Sequence, residues 1–245
     1  MSTQDRSKRS KKKQKRKDYT PFIIIGVVAV VVIAVVVLST LNNINQEKQA
    51  TPTSAMTSGI IDPTFHSVQP IDGLSMGDPN APVKLIEFAD FQCPGCNYYW
   101  SEVEPYILET YVKTGKVHYS FSPFAFLGAY GSNPDWDESI KAAEASYCAN
   151  DQNKYWEMRD YLFANHNGEN QGAFSRERIL LMADKLSLDM TVFTECLDSG
   201  SHKADVDEAN QFAIDSGVTF TPSFSVNGTI VSASDLVTAI EEALK

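Results

Sequence analysis

From Phe22 to Leu38 the chain reads FIIIGVVAVVVIAVVVL without a charge, and Ser39, Thr40 and Leu41 extend the run to about the 20 residues that a bilayer requires. Ordinary strands run about 3 to 10 residues, so a soluble strand cluster does not explain this stretch. Nor does a cleaved signal, whose apolar core is usually about 7 to 15 residues before a small-residue cleavage site that LSTLNNINQ does not offer. The pattern predicts an uncleaved signal anchor over residues 21–41. The run from Asn42 to His66 is polar and rich in Thr, Ser, Asn and Gln, and it reads as part of a flexible tether over 42–73. About 30 flexible residues span roughly 30 Å.

Beyond the turn-rich GDPNAP that ends at Pro82, Val83 to Ala89 (VKLIEFA) alternates as a short strand. Tyr98, Tyr99, Val103, Tyr106, Ile107 and Val112 then recur at helical spacing up to Gly115, which suits a helix end. Val117 to Phe121 predicts a second strand, and Gly128 to Asp137 a loop. Helix follows helix after that: Glu138 to Asn150, Asn153 to His166, Arg176 to Leu186 capped by Ser175, Met190 to Asp198 after Asp189, and Lys203 to Ser216. Strand character returns at Ser223 to Val226, with Asn227-Gly228 turning a hairpin into Thr229 to Val231. A last amphipathic helix runs from a Ser234 cap through Leu244. The order predicts one α/β domain over 74–245 with an all-helical insertion at about 137–217.

The 245 residues are 43% hydrophobic and 21% charged, within the ordinary globular range. Charge is uneven: residues 1–20 hold nine Lys/Arg against Asp5 and Asp18, net +7, leaving 12 cations and 29 acids, net −17, for the rest. The positive-inside rule puts this basic tail in the cytoplasm and the body on the outer side. An acidic body repels polyanions and the tail is too short for a nucleic-acid domain, so nucleic-acid binding is not expected.

Candidate chemistry centres on Cys93-Pro94-Gly95-Cys96, where the first strand turns into the first helix. A sulfur at a helix start is stabilised as the anion by unpaired N–H groups and the helix dipole, which makes Cys93 the attacking thiolate. Cys96, one turn later, is placed to attack a mixed disulfide on Cys93 and release the bound partner. Pro94 suits a first helical turn because it needs no N–H partner. The alternatives for such a pair are half a zinc site or an inert bridge. Zinc needs two more ligands, whereas Cys148 and Cys196 are isolated and His66, His118, His166 and His202 are scattered, reading as packing or surface residues. No metal or cofactor is expected. Tyr98, Tyr99, Trp100, Tyr106, Phe124 and Phe126 read as core packing with some groove lining.

Three segments, MGDPNAPV from Met76, EFADFQCPGC from Glu87 and VTFTPSFSVNG from Val218, together resemble the DsbA-like thiol:disulfide oxidoreductases of the thioredoxin superfamily. The resemblance covers about Leu74 to Lys245 and implies a thioredoxin fold with a helical insertion. It implies a cis Thr221-Pro222 peptide facing the cysteines, with the Thr221 backbone pairing an extended substrate segment. The alternating strand points Glu87 under the active-site helix, and by the same resemblance it is a buried carboxylate that assists proton transfer at Cys96; a solvated strand-edge glutamate is the alternative. Two departures stand out: Phe220 replaces the Gly of many relatives, and Gly95 the His of the best-known ones. Outside the membrane, where free thiols are oxidised, Cys148 and Cys196 are expected to pair as a structural disulfide.

The implied function is a membrane-anchored dithiol oxidase acting outside the cytoplasm, passing a disulfide from Cys93 and Cys96 to exported proteins and recharged by a membrane redox partner. A reductase or isomerase on the same fold, and a tethered metal-binding module, are the competing readings.

Overall fold

Alternation along Val83–Ala89 puts Val83, Leu85, Glu87 and Ala89 on one face and Ile86 and Phe88 on the other, and both faces are covered. This strand is the centre of a six-stranded sheet in a computed structural model that describes residues 59–131 and 136–245. The strands are β1 (Ile71–Asp72), β2 (Ser75–Met76), β3 (Val83–Ala89), β4 (Val117–Pro123), β5 (Ser223–Val226) and β6 (Thr229–Ser232), in the order β1-β2-β4-β3-β5-β6. β3 and β4 are parallel, with Glu87 opposite Phe121, and the other pairs are antiparallel. A parallel pair needs a crossover. The helical run 94–112, called α1, supplies it.

α1 alternates between α-helical segments, Pro94–Tyr98 and Glu104–Ile107, and wider π turns, Tyr99–Val103 and Leu108–Val112. Pro105 lacks an N–H and its ring crowds the preceding turn, which accounts for the interrupted ladder around it. Asn227 and Gly228 both adopt positive φ, 48° and 88°, the conformation that the tight β5–β6 turn requires.

The insertion comprises α2 (Glu138–Asn150), α3 (Tyr155–Ala164), α4 (Arg176–Lys185), α5 (Met190–Ser199) and α6 (Lys203–Asp215), and α7 (Leu236–Ala243) closes the fold. These match the expected elements to within a few residues. Two expected caps differ. Asp189 accepts from the N–H groups of Thr191 and Val192 as a cap should, but Ser175 makes no side-chain cap bond and the Ser234 hydroxyl pairs with Ser232 instead. In the expected loop, Leu127–Tyr130 forms a 3₁₀ turn, and residues 132–135 lie outside the described residues.

The main core joins one face of the sheet to α1, α7 and the insertion through Leu85, Tyr99, Ile107, Tyr119, Trp156, Phe163, Phe224 and Ile240, all nearly or fully buried. On the opposite face Ile86 and Phe88 pack with Phe124, Ala213 and Val218.

The expected basic tail, the anchor over 21–41 and the first part of the tether lie outside the described residues. Among the described residues no helix is long and apolar enough to cross a membrane. The described part of the tether, 59–73, is docked on the domain instead of free. The Ile61 backbone exchanges hydrogen bonds with the Asn165 amide at 2.8 and 2.9 Å, Tyr161 donates to Asp62 at 2.8 Å, and the His66 N–H donates to Asp160 at 2.6 Å. The domain boundary therefore falls well before residue 74.

Candidate active site

The turn between β3 and α1 is built by Asp90, a residue without an evident role in the sequence. Its buried carboxylate accepts from the Gln92 N–H and the Ser139 hydroxyl on one oxygen, and from the Phe126 and Leu127 N–H groups on the other, at 2.8 to 3.0 Å. Its carbonyl accepts from the Cys93 N–H at 3.0 Å. Cys93 thereby becomes the N-cap of α1, extended at φ −75° and ψ 120°, with Pro94 in the first turn where a missing donor costs nothing.

Both cysteines are free thiols, and their surroundings differ. Cys93 is 8% exposed and Cys96 fully buried. The Cys93 thiolate receives a hydrogen bond from the Cys96 thiol and is supported by the N–H groups of Cys96 and Gly95, so its pKa falls to about 6 despite partial burial. Burial, and then the same hydrogen bond seen from the donor side, push the Cys96 thiol well above the ordinary value. Near neutral pH the pair is one thiolate and one thiol.

The second wall of the site is the Thr221-Pro222 peptide, which is cis. In its neutral form Cys93 donates to the Thr221 carbonyl at 3.4 Å. Gly95 permits this approach, since a Cβ there would stand 3.2 Å from Pro222 Cδ and 3.7 Å from Cys93 Sγ. Phe220, next to this peptide in the chain, and Tyr98, two residues after Cys96 on α1, are exposed large side chains, whereas Tyr99 and Trp100 belong to the core.

Glu87 is buried on the face of β3 turned toward α1. Burial, then the charge of Glu104, raise its pKa to about 8, against the lowering influence of Arg159 and Tyr119. The Tyr119 hydroxyl is hydrogen-bonded to Glu87 and stands 3.0 Å from Glu104. Glu104 and Arg159, both fully buried, meet at 2.5 and 2.8 Å, and His66 Nδ1 lies 3.0 Å from Glu104. His66 and His166, expected as surface or packing residues, make specific bonds; His166 reaches the Gln92 carbonyl just before Cys93.

Cys148 and Cys196 are joined in a disulfide with Cα atoms 6.0 Å apart, linking α2 to α5, and neither is bonded to Cys93 or Cys96. Among the described residues, the groups able to offer three metal ligands are Cys148, Cys196 and His202, and His66, Glu104 and Asp160. Neither contains an active-site cysteine; the first spends its sulfurs on the disulfide and the second holds the Arg159 guanidinium.

The thioredoxin family pattern matches residues 70–245. The probable disulfide bond formation protein D of Bacillus anthracis is 32% identical over 175 residues, 70% of this chain and 78% of that protein. The chain belongs to the DsbA-like thiol:disulfide oxidoreductases of the thioredoxin superfamily. Oxidised BdbD from Bacillus subtilis shares the fold at a TM-score of 0.62 and 22% identity, covering 75% of this chain and 99% of that one. The α-DsbA1 of Wolbachia pipientis does so at 0.58 and 24%, covering 73% and 93%. In this DsbA-like chain the thioredoxin elements β3, α1, β4, β5, β6 and α7 carry the cysteine pair and the cis-proline wall, and the insertion between β4 and β5 covers them.

Proposed function

We propose that this chain is a membrane-anchored dithiol oxidase working outside the cytoplasm, with Cys93 as the exchanging sulfur and Cys96 as the buried one. The observation that carries the direction is the asymmetry of the pair. A thiolate stabilised at Cys93 favours the reduced form, which makes the Cys93–Cys96 disulfide more oxidising than an unperturbed pair and Cys93 a better leaving group.

A substrate thiolate attacks Sγ of Cys93, the Cys93–Cys96 bond breaks, and Cys96 leaves with the bonding pair and takes up a proton. A second substrate thiolate then attacks the first substrate sulfur of the mixed disulfide, which breaks its bond to Cys93, releases Cys93 as thiolate and leaves the substrate oxidised. Glu87, a buried carboxylate whose charge bears on the Cys96 thiol, is the group assigned to supply the Cys96 proton. Thr221 offers its backbone to an extended substrate segment beside Cys93. The two electrons gained pass to a membrane redox partner that restores the disulfide. The uncharged run from Phe22 to Leu38 and the nine cations before it support the anchor and its orientation, and the name of the Bacillus anthracis relative supports the substrate class.

The test is the reduction potential of the Cys93/Cys96 pair, read with its redox state in cells by acid quenching and thiol alkylation. An oxidising potential and a predominantly disulfide state are expected. A potential as low as that of a general reductant, with the pair found reduced in cells, overturns the oxidase direction. Cys93→Ala should abolish oxidation of a reduced test protein, and Cys96→Ala should trap mixed disulfides on Cys93.

A further inference from the structure

Beneath the cysteines, one hydroxyl hydrogen serves two carboxyl groups. Tyr119 is hydrogen-bonded both to Glu87 Oε2 and to Glu104 Oε1. A phenol can donate to only one acceptor at a time, so the second contact is favourable only where that carboxyl group carries a proton and donates to the phenol oxygen. Glu104 is the member held ionised, because Arg159 engages both of its oxygens and His66 Nδ1 meets Oε2. Glu87 has no cation hydrogen-bonded to it, and its Oε1 is buried without a partner. The neutral member is Glu87.

We propose that Tyr119 is a positioning residue that acts as a hydroxyl switch between Glu104 and Glu87 during disulfide exchange, resting on the assignment of Cys96 and Glu87 made above. While Glu87 is protonated, Tyr119 accepts from it and donates to Glu104. When a substrate thiolate opens the Cys93–Cys96 bond, Cys96 departs with the electron pair and takes the Glu87 proton. That leaves an anion in a buried site. Rotation of the Tyr119 O–H about its C–O bond then turns its hydrogen from Glu104 to Glu87 and gives the new anion a donor. Glu104 gives up one donor and keeps Arg159 and His66. One proton moves, from Glu87 to Cys96, and closing of the disulfide reverses each step.

The other groups around Glu87 set the sign of the test. Glu104 from α1 opposes its ionisation, as do the Cys93 thiolate and the burial itself, whereas Arg159 from α3 favours it. Cys96 and Tyr99 of α1 are both affected by the Glu87 charge. Tyr119→Phe keeps the ring and removes the donor, so Glu87 should hold its proton more tightly. Glu104→Gln removes the repelling charge and frees Tyr119 to donate permanently to Glu87, so Glu87 should ionise more easily. If Tyr119 only filled space, removing its hydroxyl would leave the Glu87 titration where it was.

The experiment uses the full chain in detergent. Glu87 is titrated through the carbonyl stretch of its protonated carboxylic acid, assigned by the loss of that band in Glu87→Gln, and opening of the oxidised pair by excess dithiothreitol is followed over the same pH range. Tyr119→Phe should raise the midpoint by on the order of one pH unit and slow opening near neutral pH by up to about tenfold. Glu104→Gln should lower the midpoint. An unchanged or lowered midpoint in Tyr119→Phe overturns the switch, and that arm decides alone if Glu104→Gln does not fold. If Glu87→Gln opens at the wild-type rate at every pH, the proton-donor role of Glu87 fails, and the switch fails with it.

Discussion

The carbonyl oxygen of Gln92 accepts a hydrogen bond from Nε2 of His166 at 2.8 Å, tying the residue before the Cys93 nucleophile to the residue just past α3. A carbonyl only accepts, so Nε2 of His166 is the donor. The Gln92 side chain continues the tie, donating to Ser139 at 2.9 Å and accepting from the Asn170 N–H at 2.5 Å. The helical insertion therefore fixes the entry to the active-site helix as well as covering it.

His166→Ala should cost about 1 to 3 kcal/mol, the usual range for leaving a buried acceptor unpaired. Urea unfolding of the oxidised and reduced forms would measure it. A wild-type midpoint in both would show that the Gln92 carbonyl does not need this donor.

Two of the shifted groups at the site, Cys93 and Glu87, give the reduced protein an unusual pH dependence between about 6 and 8. Cys93 titrates at about 6 when folded against 9.0 ordinarily, so its contribution to stability is complete above 9.0 and is lost as the pH falls through about 6. Glu87 titrates at about 8 when folded against 4.5 ordinarily, so its contribution is complete below 4.5 and is lost as the pH rises through about 8. Between about 6 and 8 the native state has one proton fewer at Cys93 and one more at Glu87 than the unfolded chain, and the two slopes cancel. Glu87→Gln should therefore leave a rising slope of about 1.4 kcal/mol per pH unit in that window relative to wild type. Denaturant titrations at several pH values would read the slope directly, and parallel wild-type and variant curves would rule out the shift at Glu87.

How much of this was legible in the chain depends on how local each interaction is. The thiol chemistry was legible because helix start, Cys-Pro-Gly-Cys and the preceding alternating strand all fall within 14 residues, from Val83 to Cys96. The ion cluster was not, because its members are far apart in sequence: His66 and Glu104 by 38 residues, Glu104 and Arg159 by 55. Glu104 beside Pro105 has no local mark of burial. Residues 59–73 looked like tether because they dock through individual hydrogen bonds to Asn165, Tyr161 and Asp160, which leave no periodic apolar pattern. β1 and β2, two residues each, are too short to show alternation at all. The cis geometry at Thr221-Pro222 was indicated by family resemblance, since the dipeptide alone says only turn or strand edge.

The Cys148–Cys196 bridge closes a loop with a sequence separation of 48. In the chain-entropy account, opening a loop of that length costs about 4 kcal/mol. Replacing both residues by Ala should lower stability by that order while leaving the rate at which Cys93 and Cys96 oxidise a small dithiol unchanged, because the bridge lies on α2 and α5. Non-reducing peptide mapping should recover the joined peptides from wild type. A large loss of rate at full folding would instead make the bridge part of the exchange path.

Gly95 lies between the two cysteines and faces the cis-proline wall. A methyl group at residue 95 would sit 3.2 Å from Pro222 Cδ, tighter than ordinary van der Waals contact, so the Thr221-Pro222 segment has to retreat by a few tenths of an ångström. The helix itself has no objection, because Ala is a better helix former than Gly by about 1 kcal/mol. Gly95→Ala should therefore be as stable as wild type or slightly more so, and any functional loss must come from the displaced wall. A small dithiol touches only the sulfurs and should react at close to the wild-type rate. An unfolded protein substrate must also lay its backbone along Thr221, and that pairing weakens when the carbonyl 3.4 Å from Cys93 Sγ moves away. The expected result is a selective fall in the rate of protein oxidation, which parallel assays with dithiothreitol and a reduced, unfolded protein would measure. Equal losses with both substrates would point to altered sulfur chemistry at Cys93, and no loss with either would show that the Thr221 edge is not where the substrate backbone binds.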